Sequence, residues 1–107
     1  MKKNISTMVI TTVILDSAKS KLNMAINHSL NKIIAWEWMQ KAKNDLFLLE
    51  TIFYCEKEYE MERKVYAIRK KLADTKGDDD DVKQVSEACY HAIKGLDQEI
   101  FRLTDQA

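Results

Sequence analysis

Chemistry in so short a chain must come from few residues. The candidates are His28, Cys55, Cys89 and His91, the carboxylates Glu56, Glu58, Glu60 and Glu62, and four aspartates at 78–81. A metal site needs several N, S or O ligands converging on one point. Cys89 and His91 stand two apart, which on a helix turns them about 200° from each other, so they do not share one ion. His91 falls off the apolar stripe of its segment and reads as a solvated surface residue. Cys55 and Cys89 have no redox or metal spacing and read as buried free thiols of a reducing compartment. No serine sits in a Gly-flanked elbow, and no Gly-rich phosphate loop is present. Glutamates along a long helix form a solvated face, because a catalytic carboxylate needs a pocket that moves its pKa. The aspartate run lacks the alternating ligands and distal glutamate of an EF-hand loop. At a helix entrance the same carboxylates meet the positive end of the dipole. The expectation is a non-enzyme with no metal and no cofactor.

The elements that hold these residues follow from composition. The 107 residues include no proline and two glycines, Gly77 and Gly95, with 46% hydrophobic and 32% charged residues. That is a folding composition with little punctuation for tight turns, which favours long helices over a β-sandwich or barrel. Lys+Arg and Asp+Glu balance at 17 each, giving no general attraction to nucleic acid or anionic membrane. No run approaches the ~20 apolar residues of a membrane span. Met1-Lys2-Lys3 followed by apolar residues 8–15 has the outline of a signal peptide. Thr7, Thr11 and Thr12 dilute its core, however, and Asp16 follows directly, so a cytoplasmic protein is expected.

Apolar residues at three- and four-residue steps mark the helices. Val82, Val85, Cys89, Ala92, Leu96, Ile100 and Leu103 predict one over 79–104. Ala42, Leu46, Leu49 and Phe53, then Met61, Val65, Ile68 and Leu72, predict a single long helix over 36–73. Its stripe slips through a polar stretch between Cys55 and Glu60, as a 3.6-residue helix drifting against a 3.5-residue repeat would do. Glu60 and Lys64 are placed for an i,i+4 pair. Residues 74–78 make the turn, with Gly77 as the helix C′ residue. Leu15, Ala18, Leu22, Ala25 or Ile26, Ser29 and Ile33 predict a helix over 16–35, with an interruption near Asn27-His28-Ser29 and Ser29 as a new cap. Residues 1–15 are rich in Ile, Val and Thr and read either as helix or as a strand pairing with its twin in a dimer.

The stretch from Thr7 to Gln40 resembles a ribbon-helix-helix DNA-binding domain. Met8-Val9-Ile10 would be the strand, a first helix would run from Val13 to Ile26, and Asn27-His28-Ser29-Leu30-Asn31-Lys32-Ile33-Ile34 would be the turn and the "S-x-N-x-x-I" opening of the second. The resemblance implies a dimer that lays a two-stranded ribbon on DNA. The family's DNA-facing strand positions are polar or basic, whereas Met8, Val9 and Ile10 are apolar. Trp38-Met39-Gln40-Lys41-Ala42-Lys43-Asn44-Asp45-Leu46 is similar to the "W-x-x-K-A-x-x-D-L" opening of HEPN helical domains. The nuclease motif of that family sets an arginine a few residues before a histidine. Neither His28 nor His91 has one at that distance, so nuclease activity does not transfer.

The sequence therefore predicts an all-α protein: a long antiparallel helical hairpin plus N-terminal helical segments, forming a three- to four-helix bundle completed by oligomerisation. The function expected is a small non-enzymatic interaction factor (chaperone, inhibitor or immunity-type protein, or assembly subunit) that binds another protein and forms a homodimer or higher oligomer, without a membrane. Trp36 and Trp38 lie two apart, so on a helix they cannot both enter one core; with Met39, Met8 and Ile10 they are the expected partner-binding residues. Phe47 and Phe53 are expected in the core. A dimeric DNA-binding regulator of ribbon-helix-helix type with a helical C-terminal extension is the alternative.

Overall fold

A computed structural model describes the backbone of residues 5–76 and 82–106 and the side chains of residues 7–76 and 82–102. Four helices account for almost all of it: α1 (Ile5–Asn27), α2 (Lys32–Cys55), α3 (Tyr59–Asp74) and α4 (Val82–Gln106). No strand occurs among the described residues. Gly77 and the aspartates at 78–81, expected as hairpin turn and helix entrance, lie outside those residues, as does the Leu103 side chain.

Cross-helix pairs set the topology. Thr7 donates to Glu56 at 3.3 Å, while Ser17 and Lys21 reach Asp45 at 2.8 and 2.7 Å, so α1 and α2 run antiparallel. Tyr54 meets Tyr59 across the next turn and Glu50 meets Arg69 further along, so α3 returns beside α2. Lys64 binds Glu99 at 2.7 Å, and the Ile68 carbonyl faces the Cys89 thiol, so α4 runs back along α3. An ion pair between Lys19 and Asp97 joins α1 to α4 and closes the ring. The outcome is an up-down-up-down bundle of 44 × 20 × 17 Å.

The predicted stripes are largely the core. Ala42, Leu46, Leu49 and Phe53 on α2 and Met61, Val65, Ile68 and Leu72 on α3 are all buried, with Leu15, Ala18, Leu22 and Ala25 opposite them on α1. A leucine fully withdrawn from water contributes about 1.5–3 kcal/mol. On α4 the stripe runs through Val82, Cys89, Ile93, Leu96 and Ile100; Ala92 faces solvent and Ile93 takes the core place. Phe47 and Ile33, expected inside, are 58% and 73% exposed.

The helix predicted over 36–73 is two helices. Lys57 takes a left-handed backbone, φ 60°, its N–H bonds the Tyr54 carbonyl at 3.0 Å, and the Glu58 N–H bonds the Phe53 carbonyl at 2.8 Å. Those two bonds form a Schellman cap, which reverses the chain in three residues. Within the polar stretch at 55–60 the chain therefore turns, at 56–58, rather than carrying a drifting stripe. Glu60 and Lys64 do pair, at 3.5 Å.

The helix predicted over 16–35 is interrupted where expected, α1 ending at Asn27 and α2 starting at Lys32. Asn31, not Ser29, caps α2, its side chain accepting from the Ile34 N–H at 3.2 Å. Residues 5–14 are helical despite their strand-like composition. The Thr11 and Thr12 hydroxyls donate to the Thr7 and Met8 carbonyls at 2.8 and 3.0 Å, which satisfies them inside a helix. Met8, Thr11, Leu15 and Ala18 then share one buried face, and packing overrides local preference.

Candidate functional site

The residues with chemical potential are dispersed. His28 and His91 are exposed, Cys55 is exposed rather than buried as expected, and Cys89 is buried. Burial pushes the Cys89 thiol up to about 11, the direction opposite to an activated nucleophile. Among the described residues no three His, Cys, Asp or Glu side chains converge on a metal position. A recess of about 320 Å³ between α3 and α4 is lined by Lys71, Gln84, Val85 and Ala88. Glu50, almost fully buried, receives the Arg69 guanidinium, which is stacked between the Phe47 and Tyr66 rings at 5.2 Å from each. That pair clamps α2 to α3.

The expected partner-binding residues separate into two groups. Met8 and Met39 are core residues, so neither can present its side chain to another molecule. Trp38 is half-buried against the core, with the Lys41 ammonium 4.5 Å from its ring centre. Trp36 and Ile10 are exposed.

Exposed large apolar residues, rather than titratable groups, form the notable surfaces. One exposed apolar set belongs to the α1–α2 turn and the first turns of α2: Leu30 in the turn, Ile33 and Trp36 three apart on one face of the helix, and Ile34 on its other side. Leu30 is fully exposed at 102%. It precedes the Asn31 cap, the position where an apolar residue usually folds back onto the helix as a staple, and here it does not. The Glu50–Arg69 level explains why this end is bare. α3 stops at Asp74, five residues past Arg69, so the first turns of α2 extend beyond it.

A second cluster lies toward the other end: Phe47, Leu48 and Tyr54 on α2, flanked by Val9, Ile10 and Val13 on α1 and by Tyr59 and Tyr66 on α3. Of these exposed residues, Trp36 and Ile10 are among the expected partner-binding residues. Leu30 and Ile33 are exposed because α3 ends before their level, whereas Phe47 and Leu48 lie level with α3 and simply face away from the core.

No helix is long and apolar enough to cross a membrane among the described residues. The chain matches no family model, no curated protein and no solved structure.

Proposed function

We propose that the chain is a small non-enzymatic helical interaction factor, of the chaperone, inhibitor or immunity-type, or assembly-subunit kind, that binds a partner protein through the end bearing Leu30, Ile33, Ile34 and Trp36. The observation that carries the proposal is the wholly exposed Leu30 in the α1–α2 turn, followed at once by Ile33 and Trp36, both exposed and three apart on one face of α2. Exposed apolar clusters are costly in water and mark docking sites, and Trp is enriched at binding hot spots. Two free thiols support a reducing, cytoplasmic setting. The ribbon-helix-helix alternative needs residues 8–10 as an intermolecular strand. They are helical and Met8 is in the core, so nothing in the structure favours it. The segment resembling a HEPN helix opening lies inside α2, two turns from its start.

The test compares wild type with Ile33→Asp and Trp36→Ala as immobilised baits in an extract of the native host. A protein retained stoichiometrically by wild type and lost with either variant is expected. Salt-sensitive retention of nucleic acid, or a prey bound equally by all three, would sink the proposal.

A further inference from the structure

We propose that the second cluster seats the same cluster of another copy of this chain, with the two α2 helices antiparallel about a twofold axis at Thr51. This goes beyond partner docking and uses none of its residues.

Thr51 is exposed midway between Phe47 and Cys55, one helical turn from each, with Leu48 and Tyr54 three residues to either side. A twofold through that point lays Phe47 near the partner's Cys55 and Leu48 near the partner's Tyr54, so each apolar side chain meets another surface of its own kind. The Thr51 hydroxyl already donates to the Phe47 carbonyl at 3.1 Å, so covering it strands no donor. Phe47 is held in place by the Arg69 guanidinium, itself fixed on Glu50, which lowers the entropy lost when the ring is covered.

Area supports a second copy as occupant. Phe47, Leu48, Tyr54, Ile10, Val13 and Tyr59 are each about half exposed. At roughly 150–250 Å² for a large side chain, they leave on the order of 500–700 Å² of mostly apolar surface. A stable dimer of ordinary size takes about 800 Å² from each partner, a little over half of it apolar. One copy therefore supplies the amount its twin needs.

Charge does not oppose the same rotation. The antiparallel arrangement turns Lys41 and Lys43 of one α2 toward the partner's α2–α3 turn, where Glu56 and Glu58 flank Lys57. A formal net charge of zero adds no overall repulsion.

The experiment uses the full chain. Wild type at about 100 µM, a hundredfold above a micromolar Kd, is expected to sediment at twice its 12.5 kDa mass. Leu48→Glu is expected at the single-chain mass with unchanged helical circular dichroism. With Cys55→Ser as background, Thr51→Cys should form a disulfide-linked dimer under mild oxidation, and Ser20→Cys, on the outer side of α1, should not. Ile33→Asp should leave the dimer intact, which separates this surface from the partner-docking end. Single-chain mass for wild type, a dimer indifferent to Leu48→Glu, or equal cross-linking at positions 51 and 20 would each overturn the proposal.

Discussion

Helices α2 and α4 are nearly equal in length, 24 and 25 residues, yet they spend their apolar side chains differently. On α4, Val82, Ile93, Leu96 and Ile100 are buried and Val85 and Tyr90 pack against them, leaving Phe101 outside. On α2 the buried stripe is just as complete, but Ile33, Ile34, Trp36, Phe47, Leu48 and Tyr54 face water as well. A helix needs one apolar face to join a bundle. Among its described side chains α4 has that and little more. α2 carries a surplus that folding alone does not use, and the surplus is where binding is to be sought.

The most direct way to break this contrast is to truncate one isoleucine on each helix. Ile93→Ala removes a fully buried side chain and should lower the unfolding free energy by about 2–5 kcal/mol. Ile33→Ala should change it by less than about 0.5 kcal/mol. Urea unfolding measures both, and equal losses would show that Ile33 is packed and the surplus illusory.

Alkaline pH, read as the difference between wild type and Cys89→Ala, probes α4. The Cys89 thiol, ordinarily near 9.0, is held to about 11 by burial. The unfolded chain loses that proton first, so stability present below about pH 9 is lost as pH rises toward about 11, by roughly 2 kcal/mol. The stability difference between wild type and Cys89→Ala should narrow by that amount across the window; a constant difference would mean the thiol is more open than its packing suggests.

The smallest effect refines the picture of α4. Ser86 is buried on that helix with no partner for its hydroxyl among the described groups. Ser86→Ala removes an unsatisfied polar group and should stabilise by about 1 kcal/mol, seen as a higher urea midpoint. A loss of stability would place a hydrogen-bond partner there.

Much of the bundle was legible because burial follows helical periodicity. The stripes through Leu46 and Val65 needed only their spacing. The break between α2 and α3 was not, because its left-handed residue is Lys57 where a glycine normally announces such a cap. The N-terminal helix was obscured by threonines whose hydroxyls turn inward to the helix's own carbonyls, a local arrangement that composition does not reveal. Of the residues expected to bind a partner, Trp36 and Ile10 are exposed, whereas Met8 and Met39 are buried; Phe47 and Ile33, expected inside, face out. Periodicity shows which residues share a face but not which face a neighbouring helix covers. For Ile33 that depends on α3 ending at Asp74.

The threonine-rich start of α1 also has a consequence in time. Its buried face rests on α2 and α4, and α4 is the last of the four to be synthesised. At about 5–20 residues per second, the remaining chain takes several seconds to emerge. For that interval residues 5–14 are an Ile/Val/Thr segment without their final cover, with the composition of a strand and nothing yet to hold them as a helix. The Thr11 and Thr12 back-bonds are available immediately, since they need only the preceding turn. They satisfy both hydroxyls within the segment itself, so covering Thr11 when α4 arrives strands no donor.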